Sequence, residues 1–182
     1  MLSLRRQGAP PAAATPERDG IGRDAAVSQL YEEHWTSMVR LALLMVGDRP
    51  SAEDVAQEAF TAVYRRWDAI GEGKALPYLR SSVLNGARSA LRRRKVARLY
   101  SPPIERPVWS TEHDAMLGED RREVLAALAT LPARRREVLV LRFYLHLPDA
   151  DIARTLGISE VTVRSTASRA LKSLGRKLED KR

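Results

Sequence analysis

Asp149-Ala-Asp-Ile-Ala-Arg-Thr-Leu-Gly-Ile-Ser-Glu-Val-Thr-Val-Arg-Ser-Thr-Ala-Ser-Arg-Ala-Leu-Lys-Ser-Leu174 reads as a helix-turn-helix with a basic second helix. Ile152, Ala153 and Leu156 give the first helix an apolar face, and Gly157 supplies the left-handed residue that ends it. Ala153 is small because two tightly crossing helices leave no room for more. Ile158 plugs the corner, and Ser159 is the expected N-cap of the second helix. There Val163, Ala167, Ala170 and Leu174 recur at i, i+4, i+7 and i+11, one buried stripe. Thr162, Arg164, Ser165, Ser168, Arg169 and Lys172 are left outside, all donors suited to phosphates and base edges. A helical hairpin with merely solvated charges is the alternative. The coincidence in register of small residue, glycine, β-branched core residue and basic exterior favours DNA.

Composition sets wider bounds. The 182 residues carry a formal net charge of +8, which favours a polyanionic partner without separating DNA from RNA or membrane. A hydrophobic content of 44% suffices for packed cores, and 5% aromatics suits small aliphatic bundles. With no cysteine, a disulfide scaffold and a thiolate metal site are excluded. His34, His113 and His146 are scattered, so no metal or cofactor is expected. No apolar run has the form of a signal peptide or a bilayer span, which leads us to expect a cytoplasmic location and no membrane partner. Paired carboxylates with a metal partner, a phosphate-cradling glycine loop and a nucleophile constellation are all missing, and an enzyme is not expected.

Upstream, residues 1–25 are rich in Pro, Ala, Gly and Arg without periodicity and are expected to be a disordered tail. Helical periodicity starts near Val27. Leu30, Trp35, Met38, Leu41, Ala42 and Met45 share a face, and Gly47-Asp-Arg-Pro50 stops the helix. Ser51 is the expected cap of a second helix carrying Val55, Ala59, Ala62, Val63 and Trp67. The loop Gly71-Glu-Gly-Lys74 precedes a third helix, from about Leu76 to Lys95, that ends in Arg92-Arg-Arg-Lys95. The proline-containing stretch 97–114 reads as a linker. A second helical module is expected over 115–182, with Val124, Leu125, Leu128, Leu131, Val138, Leu141, Phe143, Tyr144 and Leu145 as candidate core. The fold class is all-α: two small helical domains joined by an extended linker.

Ala52-Glu-Asp-Val-Ala-Gln-Glu-Ala-Phe60, then Trp67, Tyr78-Leu-Arg80 and Val83-Leu-Asn85 ahead of an arginine cluster, resembles region two of bacterial extracytoplasmic-function sigma factors. The segment from Leu131-Pro through Leu139-Val-Leu-Arg-Phe to the basic helix resembles their region four. The resemblance spans about residues 28–178 and implies region two over 26–96 and region four over 115–182. It implies a protein that joins core RNA polymerase, directs it to promoters and helps melt the minus-10 element.

Asp54, Gln57 and Glu58 match the family motif that meets the clamp helices of the largest polymerase subunit; the flap of the second-largest is a further implied partner. At i, i+3 and i+4 the three share one helix face. For Glu53 the helix dipole is explanation enough. The resemblance assigns minus-10 DNA to Lys74, Tyr78, Arg80, Asn85, Arg88, Arg92 and Arg93, with Asn85 receiving a flipped base through its amide. It assigns minus-35 DNA to Ser159, Thr162, Arg164, Ser165, Ser168, Arg169 and Lys172. Val161 stands where many relatives have glycine, and Thr166-Ala167 replaces a more usual Arg-Leu, which implies an unusual minus-35 preference. Anti-sigma factors hold many relatives and are a candidate partner, and no carboxy-terminal control domain is expected beyond region four. The competing reading is a stand-alone helix-turn-helix regulator of the response-regulator type, which has no use for Asp54-Val-Ala-Gln-Glu58 or Asn85.

Overall fold

The computed structural model describes residues 16–100 and 119–179. Among these residues every regular element is helical: α1 (Pro16–Val46), α2 (Arg49–Arg65), α3 (Trp67–Ile70), a 3₁₀ turn (Glu72–Lys74), α4 (Ala75–Tyr100), α5 (Glu119–Ala129), α6 (Ala133–Leu139), a π-helical turn (Val140–Tyr144), α7 (Asp149–Leu156) and α8 (Glu160–Glu179). Helix α1 begins well ahead of the expected onset at Val27. Pro16 at the first turn followed by Glu17 is a strong start signal that Gly20 and Gly22 obscured. Farther along, Arg23 donates to the Tyr64 hydroxyl at 3.2 Å and lies 4.6 Å above its ring, pinning the extension to α2.

The first bundle packs α1, α2 and α4. Met38, Leu41, Ala42 and Met45 meet Val55, Ala56, Ala59, Phe60 and Val63 of α2 and Leu79, Val83, Leu84 and Ala87 of α4, all buried. Gly86 permits the closest approach: a Cβ there would lie 3.1 Å from Val55 Cγ1. Trp35 and Trp67 pack against this core partly buried, as expected of them.

The α1–α2 corner corrects one expectation. Asp48, not Ser51, caps α2: its side chain accepts from the Ser51 amide at 3.0 Å, with Pro50 in the first turn. The sequence offers two capping residues three positions apart, and Arg94 engages both. It donates to the Val46 carbonyl at 2.7 Å, to Ser51 Oγ at 2.5 Å and to the Asp48 carboxylate. Helix α4 continues through Lys95 to Tyr100, and the four residues from Gly71 to Lys74 form a tight turn, not an open loop.

In the second bundle Leu128, Leu131, Val138, Leu141, Ile152, Leu156, Val163 and Ala170 are buried. Two expected core residues are not: Val124 and Phe143 are exposed. Phe143 lies two residues from the buried Leu141, which sets the two on opposite sides of the helix, so Phe143 faces outward at the π-helical turn. The two bundles are not separate. Buried residues of both belong to one continuous cluster, with α1 against α5 and α6 and α4 against α7. Of the stretch expected to link them, Ala97–Tyr100 extends α4 and 101–114, with Trp109 and His113, lies outside the described residues.

Partial burial disfavours the Asp48 carboxylate, but the Ser51 and Arg94 donors outweigh it and hold its carboxyl below the ordinary aspartate range. Because the folded value is lowered, this contribution is present above the unfolded aspartate value and is lost as pH falls through the folded one. Asp48→Ala is therefore expected to lower stability by about 1–2 kcal/mol at neutral pH. Urea unfolding should show the deficit shrinking as the pH is brought below the lowered aspartate value.

Candidate functional site

The helix-turn-helix forms as its sequence dictates. Gly157 ends α7 at φ 64° and ψ 42°, and Ile158 N–H donates back to the Ala153 carbonyl at 3.1 Å. Ser159 Oγ accepts from the Thr162 amide at 3.2 Å and caps α8. Val163, Ala167 and Ala170 are buried and Leu174 packs against them, so α8 turns one face outward. Thr162, Arg164, Ser165, Ser168, Arg169 and Lys172 are all exposed on it. Thr166 is buried with Ala167, so this pair packs against the domain and does not shape the outer face.

Arg169 and Arg164 rest against neighbouring groups of α8 and α7. Arg169 donates to the Ser165 carbonyl at 3.2 Å and hydroxyl at 3.1 Å. Arg164 sits 3.6 Å from Glu160 and 3.9 Å from Asp149, contacts long enough to be exchanged for a phosphate or a base edge. The Ser159 hydroxyl is already used as the cap and also contacts Thr162 Oγ1 at 2.9 Å.

A second surface lies on α2. Asp54, Gln57 and Glu58 are exposed along an open groove between α2 and α4, with Thr61, Arg65 and Arg93 beside them. Glu53 bonds Arg49 at 2.7 Å, one turn earlier, which satisfies it locally. Three side chains able to accept hydrogen bonds therefore face outward in a strongly basic chain.

The residues expected at the minus-10 strand divide three ways. Lys74, Asn85, Arg92 and Arg93 are exposed. Tyr78 is half-buried against the core at the junction of two grooves, one the α2–α4 groove and the other running toward α7. Arg80 and Arg88 face the second bundle. Burial depresses Arg80, which Asp151 only partly offsets, and its Nε has no partner. Arg88 donates from Nε and Nη2 to Glu137 at 2.5 and 2.8 Å, and from Nη1 to Asn85 Oδ1 at 2.7 Å. The bidentate Glu137 bond raises the Arg88 value against the opposing pull of burial. Arg94, in the same run of arginines as Arg92 and Arg93, holds the α1–α2 corner.

Sequence reasoning missed Arg136 and Glu137. Arg136, 9% exposed, donates to the Met45 carbonyl of α1 at 2.6 Å and to the Ala129 and Leu131 carbonyls. Burial depresses it and Glu137 opposes that shift. Glu137 is 1% exposed. Within Ala133-Arg-Arg-Arg-Glu-Val138 the one acid among three arginines is the available signal. Among the described residues no cluster of His, Cys, Asp or Glu could hold a metal ion, and no helix is long and apolar enough to cross a membrane.

Comparison with known proteins follows the two bundles. Residues 30–96 match the family model for sigma-70 region 2, and residues 121–174 match that for sigma-70 region 4. An RNA polymerase sigma-E factor of Streptomyces avermitilis is 32% identical over 80% of this chain and 80% of its own length. The ECF RNA polymerase sigma factor SigL of Mycobacterium tuberculosis is 32% identical over 86% of this chain and 90% of its own. Among solved structures, the sigma factor RpoE of Bartonella quintana, in complex with the anti-sigma factor NepR, is similar in fold. It superposes with a TM-score of 0.71 over 85% of this chain and 98% of its own, at 24% identity. CnrH, in complex with the cytosolic domain of CnrY, gives a TM-score of 0.66 over 89% and 97%, also at 24% identity.

The turn geometry yields a prediction. Gly157→Ala forces a Cβ into the left-handed region although space is open around it, and should cost roughly 1–2 kcal/mol. Thermal unfolding of the variant checks this, and an unchanged Tm would show that α7 ends otherwise in solution.

Proposed function

The chain belongs to the extracytoplasmic-function RNA polymerase sigma factors of the sigma-70 family, and on that premise we propose how its surfaces divide the work of an alternative sigma factor. Region two, over 26–96, meets core polymerase through Asp54, Gln57 and Glu58, which accept from basic groups of the clamp helices of the largest subunit. Region four, over 115–182, meets the flap of the second-largest subunit and reads the minus-35 element with the outer face of α8. The linker, 97–114, spans the two on the polymerase.

On this reading the minus-10 strand is held by Lys74, Tyr78, Arg80, Asn85, Arg88, Arg92 and Arg93. The Asn85 amide pairs with an extruded base, Tyr78 offers a ring for stacking, and the cations track phosphates. Promoter opening needs no bond chemistry from the chain: strand separation is driven by binding one strand better than the duplex. An anti-sigma factor is a further proposed partner, as two proteins of similar fold were solved with CnrY and with NepR, the latter named an anti-sigma factor.

The observation that carries the assignment is the separation of charge. A basic chain exposes a coherent acceptor face on α2 and a coherent cationic and hydroxyl face on α8, at opposite ends of its sequence. A stand-alone regulator of the response-regulator type would leave residues 30–96, matched by sigma-70 region 2, without a role. Run-off transcription with core polymerase on a genomic fragment library, with start sites mapped, tests the function and gives both promoter elements together.

Gln57→Ala combined with Glu58→Lys is expected to weaken holoenzyme formation while the helical circular dichroism is unchanged; normal assembly on a sizing column would remove α2 from the polymerase interface. Arg164→Ala is expected to leave assembly intact and to cut transcription from the mapped promoter by about tenfold, the scale of one arginine–guanine contact. Equal transcription by variant and parent would strike Arg164 from the minus-35 set.

A further inference from the structure

The first turn of α8 holds one residue that the fold does not use. Ser159 caps the helix through the Thr162 amide, its hydroxyl contacts Thr162 Oγ1 at 2.9 Å, and Glu160 lies 3.6 Å from Arg164. Val161, among them, is 67% exposed, more than any other large hydrophobic side chain described in the second bundle. It stands four, seven and eleven residues before Ser165, Ser168 and Lys172, on one helical stripe. The buried stripe of Val163, Ala167 and Ala170 lies on the opposite side of the helix. Val161 is therefore at the middle of the outward face. Leu171, the other exposed aliphatic residue of α8, follows the buried Ala167 by one turn and lies at the rim.

Packing gives no reason for a valine here. On a solvated helix turn a β-branched residue is a poorer helix former than alanine, and at this exposure burial does not offset the difference. Its side chain can neither donate nor accept a hydrogen bond. The flanking Arg164, Ser165 and Ser168 can, and all are exposed.

In the major groove the base edges present donors, acceptors and one apolar group, the C5-methyl of thymine. An aliphatic side chain laid over a cytosine amino group or a guanine oxygen removes water and returns no hydrogen bond. Laid over a thymine methyl, it buries apolar surface on both partners. The first turn of a recognition helix is also the part that reaches the base edges. We infer that Val161 is a specificity residue of this chain, selecting a thymine in the minus-35 element through its C5-methyl. The inference rests on the reading of α8 as the minus-35 face. Thr162 also carries a methyl, but it lies about 100° round the helix from Val161, with its hydroxyl on the Ser159 cap.

Thymine and uracil differ only by that methyl, which makes the test direct. On the promoter mapped by run-off transcription, each thymine of the minus-35 element, on either strand, is replaced in turn by deoxyuridine. Holoenzyme with the full-length chain is expected to lose about fourfold in transcription at one position, the scale of one buried methyl. Holoenzyme carrying Val161→Ala, an exposed and helix-favouring change, should transcribe the thymine template about fourfold less than the parent. It should also be indifferent to uracil at that position. Parental transcription unchanged by uracil at every position, or a minus-35 element without thymine, overturns the inference. A loss that Val161→Ala shares in full also overturns it, by assigning the methyl to another residue. A template with the whole minus-35 element replaced by unrelated sequence tests the premise. If parental transcription does not fall on it, the minus-35 reading of α8 fails and the inference with it; if it falls while uracil has no effect, only the role of Val161 fails.

Discussion

The last carbonyls of α1 organise this molecule. A helix leaves its final carbonyl groups without intrahelical donors, and here Met45, Val46 and Gly47 are buried, so water cannot supply them. Two guanidinium groups do. Arg94 reaches the Val46 carbonyl from α4, and Arg136 reaches the Met45 carbonyl from α6. Each also complements the negative end of the helix dipole. One helix terminus therefore joins α4 of the first bundle to α6 of the second.

Arginine suits this position for a physical reason. Its planar head offers several donors in fixed directions and is more weakly hydrated than an ammonium group, so one side chain can satisfy several carbonyls at low desolvation cost. Arg136 does this for the end of α5 as well, through the Ala129 and Leu131 carbonyls. Glu137 beside it supplies compensating charge, and Arg88 and Arg134 close the network.

Most of the local structure was legible from residue order. Gly157, Ser159 and the Val163–Ala167–Ala170 stripe specify their geometry through backbone sterics and side-chain period, which act over a few residues. The outward set on α8 followed from the same period. What went astray did so where distant residues intervene. Asp48 and Ser51 are equally good caps until Arg94 arrives from another helix. Phe143 looks like core by residue type, yet it lies across the helix from the buried Leu141 and faces outward. The start of α1 hid behind two glycines whose cost is offset downstream by Arg23 on Tyr64.

By itself the sequence determined that the chain is all-helical, that its end is a helix-turn-helix with a basic outer face, and that Asp54, Gln57 and Glu58 share an exposed face of α2. These are consequences of periodicity, caps and turn chemistry, which are local. Only the tertiary structure decided what Arg88, Arg94 and Arg136 hold. Nothing in Arg88, Arg94 or Arg136 as letters distinguishes a phosphate ligand from a clamp on a buried carboxylate or an orphan carbonyl, because a guanidinium serves all three. The choice depends on which acceptors are brought within about 3 Å, and that is a property of the packed chain.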